Sequence, residues 1–300
     1  MLAGLMLRKI VIPSAGLGTR LFPATKEQPK EMLPIFSKTL SGNVAVKPLL
    51  QMVFEQLYDT GFREFCFIVG RGKRSIEDHF TPDHNSIGML QIMGKSGQAA
   101  ELDGFYGKLK TSRILWVNQP EPKGFGSAVL MAQPFVQNEH CLVHAGDTCI
   151  ISEDADHIND LMSTFERFRA DAVFLVQEID NPKQYGVIEA EEMEEGICRV
   201  RAAVEKPEKP RSNLAIMPIY IFRSVIFKAL EEISPDKRGE IQLTDAIQRL
   251  VEWDLKVYAI KLSQNHVKLD IGSPESYWEA LSRSYQLFCG RTRTDRPNNY

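Results

Sequence analysis

The chain has 300 residues, 43% of them hydrophobic and 25% charged, the balance of a globular protein long enough to bury a large core without staples. Its 36 Lys and Arg against 39 Asp and Glu give a net charge of −3, which argues against a dedicated nucleic-acid binder yet leaves room for a local anion site. No apolar run approaches the roughly 20 residues of a membrane-spanning helix.

The opening MLAGLM meets Arg8 and Lys9 at once, and reads as a lead-in to a strand rather than a signal peptide. Lys9 to Ile12 is a short apolar run with the pattern of a buried strand. Glycine and proline punctuate residues 14–34, which predicts a loop with at most one helical turn. Pro48 opens a helix whose mostly apolar positions Leu49, Met52, Val53, Gln56 and Leu57 share one face, and Gly61 ends it. Glu64 to Val69 is the next strand, so the first unit is β-α-β with a parallel sheet. Residues 81–112 are polar, glycine-dotted and weakly periodic, and read as an insertion. Strand-like and helical segments then alternate: strand 113–117, helix 124–133, strand 141–145, helix 158–168 and strand 172–177. Three strand-like segments follow without long helices between them, at 185–190, 197–204 and 214–222. Helices at 224–233 and 240–251, short strands at 256–261 and 267–269, and a final helix capped by Ser273 with Pro274 at its first position complete the pattern. Ser276 stands where a full capping box would have Glu or Gln. The first half is doubly wound α/β and the second half is mixed. No linker divides them, so one domain over residues 1–300 is expected, with a polar tail at 291–300. Cys66, Cys141, Cys149, Cys198 and Cys289 are scattered with no C-x-x-C pair, which predicts buried free thiols in a reducing cytoplasm rather than zinc or disulfides.

The residues with most chemical content follow the first strand: Ser14-Ala15-Gly16-Leu17-Gly18-Thr19-Arg20-Leu21, then Pro29-Lys30-Glu31-Met32-Leu33-Pro34. Glycines placed there let backbone N–H groups converge on phosphate oxygens, and an arginine and a lysine beside them neutralise phosphate charge. A dinucleotide fingerprint would need a third glycine where Leu21 stands, and no Gly-Lys-Ser/Thr makes a Walker loop. Asp147 follows a strand beside Gly146, on the carboxyl edge where open α/β sheets bind ligands; it can hold Mg²⁺ or cap a loop. Asp270 ends another strand and offers a second carboxylate. Glu205-Lys206 pairs an acceptor with a cation, the two groups a sugar phosphate needs, and equally suits a charged turn before Pro207. Asn213 can serve a sugar hydroxyl or a loop, Gln119 can read a base edge, and Gly124 and Gly126 open a helix whose N-terminus favours anions.

Together these blocks resemble the sugar-1-phosphate nucleotidylyltransferases, most closely the bacterial-type UTP–glucose-1-phosphate uridylyltransferases. The resemblance continues through Gln119 to Ala128, Gly146-Asp147, Tyr185 to Ile188, Val204 to Pro207, Ser212 to Ile216, Gly239 to Ile247 and Asp270-x-Gly272. It implies a Rossmann-like, doubly wound mixed sheet of the nucleotide-sugar transferase (GT-A-like) type. Residues 1–150 would chiefly hold nucleotide and 151–290 sugar phosphate. It places Ala15, Gly16, Glu31, Gln119 and Gly124 on the base, and Gly18, Thr19, Arg20 and Lys30 on the triphosphate. Asp147 and Asp270 become Mg²⁺ ligands; Gly186, Glu205 and Asn213 sugar contacts; Lys206 the phosphate lysine. The implied partners are a nucleoside triphosphate and a sugar 1-phosphate, with neither nucleic acid nor membrane, in a cytoplasmic dimer or tetramer. Thr148 replaces a usual acidic residue or asparagine, Pro218 a usual glycine, and Phe36 to Val46 is longer than the usual connection. Rival readings are a thymidylyl or other sugar-nucleotide specificity, a non-catalytic sugar-nucleotide-binding subunit and, more distantly, a nicotinamide dehydrogenase. Retention of Arg20, Lys30, Asp147, Lys206 and Asp270 together speaks against the second, and Leu21 against the third.

Overall fold

The computed structural model describes residues 7–39 and 41–289; the opening MLAGLM and the tail 291–300 lie outside the described residues. Strand β1 (Lys9–Ser14) leads into two 3-10 turns, Thr19–Leu21 and Lys30–Met32. Then come β2 (Pro34–Lys38), β3 (Val44–Pro48), α1 (Leu49–Asp59), β4 (Glu64–Gly70), α2 (Arg74–His79), α3 (His84–Ile92), α4 (Ser96–Lys110) and β5 (Arg113–Gln119). They are followed by α5 (Phe125–Leu130), α6 (Gln133–Val136), β6 (Cys141–His144), β7 (Thr148–Ile151), α7 (Asp156–Arg167), β8 (Ala172–Glu178), β9 (Gly186–Glu194), β10 (Ile197–Glu205) and β11 (Leu214–Phe222). The last elements are α8 (Val225–Glu232), α9 (Leu243–Glu252), β12 (Val257–Lys261), β13 (Val267–Asp270) and α10 (Pro274–Cys289).

One nine-stranded sheet draws on both halves of the chain, in the order β5-β4-β1-β6-β11-β8-β12-β10-β9. Its first four strands are parallel, as β-α-β units require, and β11 runs antiparallel to both β6 and β8. The expected Rossmann-like mixed sheet is therefore present. Alternate residues of each central strand feed two cores. Ile10, Ile12, Phe65 and Phe67 face Leu50, Phe54 and Leu161 on one side. Val11, Cys66 and Ile68 face Ala128, Leu230 and Ile247 on the other. This two-sided burial is why β1 and β4 read as unbroken apolar runs rather than alternating ones. Cys66, Cys141, Cys149 and Cys198 are free and buried, and no helix among the described residues is long and apolar enough to cross a membrane.

Several segments depart from the sequence reading. Residues 81–112 contain two helices, α3 and α4. No side chain of α3 is buried and only four of α4 are, so neither carries the apolar stripe that betrays a helix. Residues 34–38 and 44–48 pair as the hairpin β2–β3, and Pro48 ends its second strand instead of lying within α1. The hairpin leans on α10: Phe36 N donates to Ser284 Oγ (3.3 Å), Tyr277 OH to the Pro34 carbonyl (3.1 Å), and the Phe36 and Tyr285 rings meet edge-on at 5.0 Å. The helix expected over 124–133 is two short ones, α5 and α6. Strand β7, unread in the sequence, pairs antiparallel with β13 so that Thr148 lies opposite Asp270.

Candidate active site

The loop after β1 is shaped by its own hydrogen bonds. Gly18 sits at φ 66°, where a side chain would be strained, and its carbonyl accepts from Leu21 N (2.9 Å) and Thr25 Oγ1 (2.8 Å). Across from it, Gly124 adopts φ 96°, and a Cβ there would lie 2.7 Å from the Ile241 carbonyl. Gly126 is as tightly placed, and its N–H donates to that same carbonyl (2.9 Å). The Gly124-x-Gly126 pair thus serves close packing against the segment before α9, and the Gly126 amide is not free to meet an anion.

Two cavities open on this edge of the sheet. The first, of about 440 Å³, is lined by Ala15, Gly16, Gly18, Thr19, Lys30, Glu31, Gln119, Gly124 and Asp147 among others. The second, of about 260 Å³, is lined by Asp147, Gly186, Glu205, Lys206 and Asp270, together with Tyr185, Thr244 and Lys268. Asp147 and Phe125 border both. The residues assigned to nucleotide and those assigned to sugar phosphate therefore separate into two adjoining spaces that meet at Asp147. Arg20 is exposed and lines neither; its Nη2 lies 3.5 Å from where a Cβ on Gly272 would stand, and that same point is 2.8 Å from Asp270 Oδ2. Asn213 is also exposed and lines neither cavity; its carbonyl accepts from Ile179 N (2.9 Å).

The first cavity has a charged floor. Lys30 pairs with Asp147 Oδ2, and Lys73 Nζ lies 2.7 Å from Glu31 Oε2. Burial alone would lower the Lys30 pKa, but Asp147, then Glu31 and Asp270, more than reverse it, so the ammonium is held. Burial pushes Asp147 up, and Lys30 outweighs it and keeps the carboxyl below its usual range. At Glu31 burial wins over Lys73 and Lys30, and the carboxyl is raised. Gln119 is buried, its Nε2 reaching Ser127 Oγ at 3.3 Å and, more weakly, the Gly124 carbonyl at 3.5 Å.

In the second cavity, Glu205 is fixed from both sides. Its Oε2 accepts from Thr244 Oγ1 (2.7 Å) and its Oε1 from Lys206 Nζ (2.8 Å). A Cβ on Gly186 would lie 2.5 Å from that Thr244 hydroxyl, so only glycine leaves room for the pair. Lys206 itself sits at φ 42°, an unusual conformation for a side-chain-bearing residue, and its N–H donates to the Tyr185 carbonyl (3.0 Å). Thr148 Oγ1 donates to Asp270 Oδ1 (3.1 Å), so the residue that replaces the usual acid orients the second carboxylate. Pro218 falls in a register break of β11, where no N–H is needed, and its carbonyl accepts from Ala145 N (3.0 Å). Sequence reasoning missed Lys73, Thr148, Thr244 and Lys268 as site residues. Lys73, just beyond the carboxyl end of β4, was within reach of the same strand-edge rule that singles out Asp147.

Residues 9–286 match the Nucleotidyl transferase family profile. A UTP–glucose-1-phosphate uridylyltransferase of Pseudomonas aeruginosa is 37% identical over 94% of this chain and 98% of its own length. A crystal structure of UDP-glucose pyrophosphorylase complexed with UDP-glucose superposes with a TM-score of 0.80 at 31% identity, covering 94% of this chain and all of that one. A UTP-bound UGPase from Acinetobacter baumannii gives a TM-score of 0.81 at 27% identity, covering 94% of each chain.

Proposed function

The chain belongs to the nucleotidyl transferase family, and we propose that it transfers the uridylyl group of UTP to glucose 1-phosphate, giving UDP-glucose and pyrophosphate. The observation that carries this reading is the pair of adjoining cavities: a glycine-walled one with Lys30 and Gln119, and one with Glu205 and Lys206, joined at Asp147.

An oxygen of the sugar phosphate attacks the α-phosphorus of UTP, the bond to the β-phosphate oxygen breaks, and pyrophosphate departs with the electron pair. A phosphate monoester has a second pKa near 6, roughly, so the nucleophile is already anionic at neutral pH and needs no general base. Repulsion between two anions opposes the reaction, and positioning and charge neutralisation overcome it. Lys30, with Arg20 beside the loop, offsets the charge on the departing pyrophosphate. Lys206 aligns the attacking phosphate, while Glu205, held by Thr244, accepts from sugar hydroxyls. Asp147 and Asp270 suit Mg²⁺, which is usually held by one or two carboxylates together with substrate phosphates; both line the same cavity, and Asp270 keeps one oxygen clear of Thr148. When bound there, Mg²⁺ would supply further neutralisation of the reacting phosphates. We also infer a cytoplasmic homodimer or homotetramer. Exposed Met89, Ile92, Met93 and Trp278 support association, which light scattering would measure.

The deciding experiment is pyrophosphate release with glucose 1-phosphate and each of UTP, dTTP, ATP, CTP and GTP, with and without Mg²⁺. Magnesium-dependent release with UTP, well above the others, is expected. A dTTP preference would retain the reaction and overturn the specificity.

A further inference from the structure

Lys73 and Glu31 are 42 residues apart in sequence, yet they form the most thoroughly buried ion pair described for this chain, with side-chain exposures of 7% and 2%. Removing two charges from water is costly, and a pair of well-packed apolar residues would often serve stability as well or better. The pair therefore calls for an explanation other than stability. Its position supplies one. Glu31 sits in the turn Lys30–Met32 and lines the cavity assigned above to the nucleotide. Lys73 follows the carboxyl end of β4 and lines neither of the two site cavities. Lys73 engages Oε2 alone; Oε1 makes no hydrogen bond among the described residues.

We propose that Lys73 is a positioning residue for nucleotide binding: it pins Glu31 by Oε2 and so presents Oε1, as an acceptor, to a hydrogen-bond donor of the nucleoside. This rests on the uridylyl-transfer reading and names a group that reading lacks. The donor chemistry is an N–H or an O–H, and uridine offers both, at ring N3 and at the ribose hydroxyls. Paired with the Lys73 ammonium at 2.7 Å, the Glu31 carboxylate accepts and does not donate, so it favours such donors and disfavours a carbonyl or ring nitrogen in the same place. A lysine that sets a carboxylate's direction without touching the ligand should act on nucleotide binding and leave the sugar-phosphate side alone.

The test is steady-state kinetics of the full chain with UTP and glucose 1-phosphate, for the wild type and for Lys73→Met, Lys73→Arg, Glu31→Gln and the Lys73→Met/Glu31→Gln double variant. Wild-type turnover with UTP comes first; its absence would sink the uridylyl reading itself. Given that turnover, Lys73→Met should raise KM for UTP at least tenfold while KM for glucose 1-phosphate stays within twofold. Lys73→Arg should recover most of the loss. The double variant should lose no more than the worse single one, because the two residues act as a unit. Unchanged KM for UTP in Lys73→Met, or equal rises in both KM values without rescue by arginine, would overturn the proposal. If Lys73→Met does not fold, the double variant carries no unpaired buried charge and answers the same question through its two KM values. Repeating the series with 2′-deoxy-UTP and with N3-methyl-UTP locates the donor. The analogue whose penalty disappears in Lys73→Met lacks the hydrogen that Glu31 accepts, and wild-type penalties that persist undiminished for both would also overturn the proposal.

Discussion

Lys206 and Asp147 are tied down in different ways, and their replacement should be felt differently. Lys206 is 45% exposed on its side chain and reaches into the second cavity from a left-handed backbone, paired among the described residues only with Glu205. Lys206→Ala removes one charge-assisted contact to the sugar phosphate, worth about 1.5–3 kcal/mol. A loss of roughly 10- to 100-fold in kcat/KM for glucose 1-phosphate is expected, with KM for UTP little changed. Initial-rate measurements varying each substrate check this; an equal effect on UTP would place Lys206 elsewhere. Asp147 stands where the two cavities meet and neutralises Lys30. Asp147→Asn keeps the shape, loses the charge and leaves Lys30 without its partner, so turnover should fall by on the order of 10³-fold or more at every magnesium concentration. Restoration of the rate by excess magnesium would contradict a direct role.

How an element meets its neighbours decided what could be read from sequence. Strands β1, β4 and β6 are buried on both faces, so their apolar runs announced them, and the glycines and carboxylates at their carboxyl ends marked the site edge. Helix α3 has no fully buried side chain, and hairpin β2–β3 depends on α10, which lies more than 200 residues away; neither arrangement leaves a local pattern. The Lys73–Glu31 and Thr244–Glu205 contacts were unreadable for the same reason, since each joins residues far apart in sequence. At the start of α10, Ser273 caps the helix and Pro274 takes its first position, as the sequence predicts. Without Glu or Gln, Ser276 still completes a reciprocal cap: its N–H donates to Ser273 Oγ (3.2 Å), and its Oγ accepts from Ser273 N (2.9 Å) and Gly272 N (3.0 Å). A short hydroxyl replaces the longer side chain of the usual box because it also reaches the amide one residue earlier. Ser276→Ala should cost about 1 kcal/mol, read as a lower denaturant midpoint at unchanged slope. Because Gly272 lies beside Asp270, kcat should fall as well, and a variant with normal stability would show the cap to be dispensable.

Across the whole molecule, buried histidines govern the response to mild acid. His144, on the central strand β6, is fully buried; its ring Nδ1 lies 2.8 Å from the Ala145 carbonyl, and Nε2 has no hydrogen-bond partner among the described residues. His157 at the start of α7 is 1% exposed, with Nδ1 2.6 Å from Ser152 Oγ and Nε2 also without a partner among the described residues. Burial lowers His144 from 6.5 to about 4, against a smaller upward pull from the Ala145 carbonyl and Asp147. It lowers His157 from 6.5 to about 3, helped by His144 and His266 and opposed by Asp156. Both are therefore neutral when folded and take up a proton first in the unfolded chain. Between pH 6.5 and about 4 the unfolded state binds more protons, so stability falls as the pH falls. At pH 5 the loss is about 2 kcal/mol for each histidine relative to pH 7. Carboxylates act outside this window or against it. Asp147 is depressed and contributes only at lower pH, whereas Glu31 is raised and offsets part of the loss. Urea unfolding at pH 7 and pH 5 measures the sum, and His144→Gln isolates one part. That variant is less stable at pH 7, but its stability difference between the two pH values should shrink by about 2 kcal/mol, because the proton that the wild-type unfolded state gains at this position has nowhere to bind. An undiminished difference would mean that His144 already carries its proton in the folded protein, with a partner for Nε2 that the fold does not display.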